Sequence, residues 1–191
     1  DVRRNLMYSK ALSEGLRALL FQAAFYQEKA LHHPDAAQRE RYNDLVDLLT
    51  PMCKAVATDQ GFKVTELAIQ VLGGAGYITE YGVEMYMRDV KIASIYEGTN
   101  GIQALDLLGR KMRLKGGGLF MAWMQECNDF LGQFQGNEEL EWIANAVDKA
   151  KNALGEVAFN FPAQMQSDAE LALLGATPFL EMFGTIEVGR L

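Results

Sequence analysis

The chain has 191 residues, 49% of them hydrophobic, with 18 Lys and Arg against 25 Asp and Glu for a formal charge of −7. That length gives one large domain or two small ones, and the acidic balance argues against nucleic acid as a partner, because phosphate binding needs clustered Lys and Arg. The two cysteines, Cys53 and Cys127, form no CxxC pair, and no apolar run approaches about 20 residues. No zinc site, disulfide framework or membrane span is therefore expected, and a reducing, cytoplasmic setting fits.

Helical periodicity dominates. Leu12, Leu16, Leu19, Leu20 and Ala23 form one stripe, predicting a helix from about Val2 to Leu31. His32-His33-Pro34-Asp35 reads as a turn, and adjacent His on a turn do not make a metal site. A second helix carries Tyr42, Leu45, Leu49, Met52 and Val56, with Pro51 expected to bend it. A third, from about Gly61 to Leu72, should end at Gly73-Gly74. Residues 75–81 read as a loop, followed by a short helix over about Val83–Val90 with a Glu84/Arg88 pair at i,i+4. Asn100 and Gln103 look like a capping box opening a helix through Ile102, Leu105, Leu108 and Met112. Lys115-Gly116-Gly117-Gly118 is the one linker-like break. Beyond it, helices are expected over about Leu119–Phe134, Asn137–Phe159 and Ala163–Gly175, with a last one from Thr177-Pro178. Trp123 and Trp142 suit packing between them. No segment alternates for long with period two. The class is all-α: an antiparallel bundle over residues 1–115, then further packed helices over 119–191.

Two stretches are unusual for a plain bundle. Gln70-Val-Leu-Gly-Gly-Ala-Gly-Tyr77 has three glycines in four positions, which permits close backbone approach. It is not a dinucleotide fingerprint, because Thr79 stands where Gly or Ala is needed and the preceding segment has helical period. Tyr96-Glu97-Gly98-Thr99-Asn100-Gly101 puts a carboxylate on a turn just before a helix. A lone Glu there is ordinarily a favourable charge on the helix dipole. Flanking Ile95 and Tyr96, however, would raise its pKa by desolvation, and the helix start offers N–H donors to an anion.

Taken together, Gln70–Tyr77, Met87-Arg88-Asp89 and Ile95-Tyr-Glu-Gly-Thr-Asn-Gly-Ile-Gln103 resemble the acyl-CoA dehydrogenase family. The resemblance covers about residues 2–113, as that family's C-terminal helical domain. Residues 119–191 look like the additional helical domain of its larger members, where Phe179-Leu-Glu-Met-Phe-Gly184 is similar to a segment near the end. It implies an FAD-dependent oxidoreductase that takes the α-proton of an acyl-CoA while a hydride leaves the β-carbon for flavin N5, giving the trans-2-enoyl-CoA. Glu97 falls on the position of the base, with Tyr96 and Gly98 beside the substrate. The Glu97 N–H and a flavin ribityl hydroxyl would be the two donors to the thioester oxygen.

Gln70, Gly73 and Gly74 map onto FAD contacts made across a subunit interface, and Thr99, Asn100 and Gln103 onto FAD contacts after the base. Arg88 reads as an ion-pair partner of Glu84. The family also implies a homodimer or homotetramer and an electron-transfer flavoprotein or similar acceptor. Its N-terminal and middle β domains have no counterpart here, so the chain reads as a fragment, inactive alone. Two alternatives stand beside this: a non-catalytic helical interaction or oligomerisation module, and a relative of the alkylation-response flavoproteins, against which the charge of −7 counts.

Overall fold

Helix α1 (Val2–His32) and helix α2 (Ala36–Leu72) form a long antiparallel hairpin. The turn between them is built by short side chains. Asp35 caps α2 by accepting from the Ala37 N–H at 2.9 Å, and the Asp35 N–H donates to His33 Nδ1 at 3.1 Å. The computed structural model describes all 191 residues, with no strand among them. The remaining helices are α3 (Gly74–Tyr77), α4 (Val83–Lys91), α5 (Asn100–Leu105), α6 (Gly118–Leu131), α7 (Glu141–Ser167), α8 (Ala169–Leu174) and α9 (Ala176–Arg190).

The expected second and third helices are one. Helix α2 continues without a break between Val56 and Gly61 and runs to Leu72; it also accommodates Pro51, through a group 60 positions downstream. A proline at 51 has no N–H for the carbonyl four residues back, that of Asp47. The buried Lys111 ammonium donates to that carbonyl oxygen and lies 3.5 Å from the Asp47 carboxylate. The orphaned acceptor is thus satisfied without breaking the helix. Likewise α7 continues through Pro162 to Ser167, where a break was expected. Residues 75–81, expected as a loop, form α3 and a 3₁₀ turn at Thr79–Tyr81.

Leu45, Leu48, Leu49 and Met52 of α2 are fully buried against Leu19 of α1, Leu107, and Phe179 and Phe183 of α9 in one hydrophobic core. Around Lys115, Gly116 and Gly117 the backbone turns sharply, with φ of 50°, 66° and 89°. Lys115 is tied to α2 by Glu40 at 2.7 Å and Asp44 at 2.8 Å. The core continues past this turn, and α9 packs on α1, α2 and α5. Close approach there depends on Gly184: a Cβ at that position would meet Val56 Cβ at 3.0 Å and drive into its methyl.

Residues Ala169–Arg190 are long and apolar enough by composition to cross a membrane, contrary to expectation. They form two helices, and the apolar face of α9 fills the core. The same helix carries a buried polar cluster. Fully buried Glu187 accepts from Trp123 Nε1 at 2.8 Å and from Arg190 Nε and Nη2 at 2.9 and 2.6 Å. Trp123 is therefore a packing residue as expected, whereas Trp142 is 70% exposed.

Candidate functional site

The segment leading to Glu97 is positioned by α4, which packs along α2. A 3₁₀ turn at Ile92–Ser94 then folds the chain back, with the Ile95 and Tyr96 N–H groups both donating to Ile92 O at 2.9 and 3.1 Å. Glu97 follows with φ 53° and Gly98 with φ 84°. The left-handed region suits glycine but costs a glutamate about 1 kcal/mol or more, so Glu97 is held by its surroundings. A side chain on Gly98 would also lie 3.0 Å from Gln103 Nε2.

The expected capping box is not formed, because the N-cap lies one residue earlier and puts apolar Ile102 at the third helical position. Thr99 is the N-cap of α5, its hydroxyl accepting from the Ile102 N–H at 3.4 Å. Asn100 instead faces α2. Its amide donates to Ala55 O at 3.2 Å and Thr58 Oγ1 at 3.0 Å, and its Oδ1 accepts from Lys54 Nζ at 2.8 Å. Both amide hydrogens are thereby used. Lys54 and Thr58 lie more than 40 positions upstream of Asn100, and no spacing or motif in the sequence linked them to it.

Glu97 is exposed, and Ile95 and Tyr96 are about half exposed at 53% and 51%. The apolar enclosure expected from these two residues is not formed by this chain. The Glu97 N–H makes no hydrogen bond within the chain.

The second group lies further along α2. Gln70 is exposed in its last turn, and Gly73 ends it with φ 60°, its N–H donating to Gln70 O at 3.3 Å. A Cβ on Gly73 or Gly74 would meet nothing within 4 Å. Gly76 differs: a Cβ there would stand 2.8 Å from Ile69 O, so this glycine serves packing of α3 on α2. Gln70, Tyr77, Glu84 and Arg88 share an open groove of about 550 Å³ with neighbouring residues. Glu84 and Arg88 form no ion pair there, contrary to expectation; no carboxylate lies within 4.0 Å of the Arg88 guanidinium. The two groups stay apart. Gln70 is 12 residues beyond Thr58 on the same helix, about 18 Å at 1.5 Å per residue.

Residues 1–112 match the family model described as the acyl-CoA dehydrogenase C-terminal domain. The chain belongs to the acyl-CoA dehydrogenase family. It is 38% identical over its full length to a butyryl-CoA dehydrogenase of Syntrophomonas wolfei, covering 31% of that protein. It is 34% identical over 99% of its length to the 3-methylmercaptopropionyl-CoA dehydrogenase of Ruegeria pomeroyi, covering 32% of it. The fold is also that of Caenorhabditis elegans ACDH-11, solved in complex with C11-CoA, with a TM-score of 0.81 at 21% identity over 98% of this chain and 32% of that one. The chain thus spans about a third of the length of the curated relatives it matches.

The acyl-CoA dehydrogenase family is FAD-dependent, and most of the residues present fit that cofactor. Gln70, Gly73 and Gly74 form an exposed edge with open space above the two glycines. Gln103 is half-buried, and its side-chain amide lies over Gly98. The Thr99 hydroxyl caps α5 through its lone pair and keeps its hydrogen to donate. Asn100 fits least, because its amide hydrogens are committed to α2.

Proposed function

We propose that this chain is the helical, cofactor-contacting part of an acyl-CoA dehydrogenase that converts an acyl-CoA thioester to the trans-2-enoyl-CoA, with Glu97 as base. The observation that carries the reading is the Glu97 turn. In a chain that aligns along its whole length with a butyryl-CoA dehydrogenase, one carboxylate stands exposed in left-handed backbone beside Gly98, at the start of a capped helix.

The chemistry assigned to these residues is an α,β-dehydrogenation, in which a proton leaves the α-carbon, a hydride leaves the β-carbon and the bond between them becomes double. The Glu97 carboxylate takes the α-proton as the α-C–H bond breaks, and a carboxylate is a suitable base once substrate and neighbouring domains exclude water. When bound, FAD supplies the acceptor for the hydride that leaves the β-carbon. The unpartnered Glu97 N–H is available to the thioester oxygen, where negative charge grows in the transition state. Gly98 leaves room for the acyl group, and Tyr96 borders it.

Gln70, Gly73 and Gly74 would hold one part of the cofactor, and Thr99 and Gln103 another. Thr58, beside the start of α5, lies about 18 Å along α2 from Gln70, and this spacing supports two groups serving different copies of a site shared between subunits. A homodimer or homotetramer, an electron-transfer flavoprotein as acceptor, and a cytoplasmic setting complete the proposal. Two free, buried or half-buried thiols agree with that setting.

The test is the full-length enzyme with acyl-CoA thioesters and an artificial electron acceptor. Substrate-dependent bleaching of flavin absorbance, with one enoyl-CoA formed per acceptor pair reduced, is expected. Retention of FAD without bleaching by any straight-chain or thioether acyl-CoA would overturn it.

A further inference from the structure

The side chain of Asn100 points away from the open side of the Glu97 turn and into α2. It sits at the first position of α5, three residues after Glu97, and spends both amide hydrogens on Ala55 O and Thr58 Oγ1 while accepting from Lys54 Nζ. Thr58 Oγ1 in turn lies 3.1 Å from Ala55 O. Lys54 makes no ion pair and has Asn100 as its side-chain partner. Asn100, Thr58 and Lys54 are all partly buried.

The need for such an anchor is visible in the backbone. Glu97 and Gly98 are consecutive residues at positive φ, and a non-glycine residue persists there only where the surroundings over-determine it. On one side the turn is fixed by the 3₁₀ bonds to Ile92 O. On the other, the Thr99 cap is local to α5 and cannot place that helix against the rest of the fold. Buried Ala104 packs the body of α5 into the core, and the Asn100 amide is the polar link that fixes its N-terminal end on α2.

We infer that Lys54 and Thr58 of α2 are positioning residues for the base, acting through Asn100, and that Asn100 is an anchor of the Glu97 turn rather than a cofactor ligand. This rests on the reading of Glu97 as base. A carboxylate that must meet an α-proton tolerates little displacement, since a misplacement of about 1 Å can cost about 100-fold in rate. The anchor therefore acts on the chemical step even in enzyme that has FAD bound.

The test uses the full-length, FAD-loaded enzyme with Thr58→Val, Lys54→Met and the conservative Thr58→Ser. Thr58→Val and Lys54→Met should each slow substrate-dependent reduction of the bound flavin about ten-fold, with KM for acyl-CoA unchanged in the FAD-loaded fraction. Hydrogen exchange at the Ile102 and Gln103 amides, which bond to Thr99, should quicken in both. Thr58→Ser, which keeps the hydroxyl, should retain rate and protection. Wild-type rate and protection in Thr58→Val and Lys54→Met would overturn the anchor. So would loss of FAD with the loaded fraction reacting normally, because Asn100 would then be a cofactor ligand. Glu97→Gln, run in parallel, separates the two ideas. Full activity in that variant would remove the base, while the exchange data would still decide whether Asn100 is anchored.

Discussion

Replacing Lys111 by Met keeps the apolar stem of a side chain that is only 5% exposed and removes the ammonium that serves Asp47 O. The part-buried carbonyl freed by Pro51 is then left without a protein donor, which costs about 1–3 kcal/mol. Release of a desolvated charge returns part of that, leaving a net loss of about 1–2 kcal/mol. For a chain of this size that is a fall in Tm of about 2–8 °C, read by far-UV circular dichroism. The decisive comparison is a double-mutant cycle with Pro51→Ala, which restores the N–H that Asp47 O lacks.

Alone, Pro51→Ala should cost about 0.4–1 kcal/mol by loosening the unfolded chain. In the Lys111→Met background it should instead recover about 1 kcal/mol. Strict additivity would show that Lys111 does not serve the proline's orphan acceptor. Burial holds the Lys111 pKa below its ordinary 10.5 despite attraction from Asp47 and Asp106. The folded state then binds fewer protons than the unfolded between that depressed pKa and 10.5, so stability rises with pH in this window. Lys111→Met should flatten that rise.

Three other outcomes follow from the packing. Glu187→Gln leaves the Arg190 charge buried without its carboxylate and should cost about 3–5 kcal/mol, with a change in Trp123 fluorescence; unchanged thermal unfolding would contradict the cluster. Gly184→Ala should destabilise by about 1–3 kcal/mol through overpacking on Val56, and Val56→Ala should relieve much of it; a neutral Gly184→Ala in urea titration would argue against so close a contact of α2 and α9. Burial pushes the Cys127 thiol up to about 12 and Cys53 to about 11. Both should resist alkylation in the native chain near neutral pH and react after unfolding, as mass spectrometry would show.

What could be read from the sequence followed the range of the interactions. The α1–α2 hairpin was legible because Leu16, Leu19, Leu45, Leu49 and Met52 repeat with the helical period and all are buried. Gly73 as the end of α2 was legible because its positive φ is a local demand. The way α2 accommodates Pro51 was not, since the group that satisfies the freed acceptor lies 60 positions away at Lys111. The motif turn around Glu97 was recognisable as a string, and its approximate place at a helix start was right. The partners of Asn100 were invisible for the same reason as Lys111: Lys54 and Thr58 come from another helix. Glu84 and Arg88 have the spacing of a helical pair but do not meet, because an exposed pair gains little from holding two long side chains together.

The central claim is that Glu97 takes the α-proton. Its most direct measurement is the single-turnover bleaching of flavin by acyl-CoA in the full-length enzyme carrying Glu97→Gln, with FAD content determined on the same sample. A fall in rate of about 100-fold or more, with FAD and acyl-CoA still bound, is the predicted result. Bleaching at close to the wild-type rate would contradict it, and the base would have to be sought elsewhere in the enzyme.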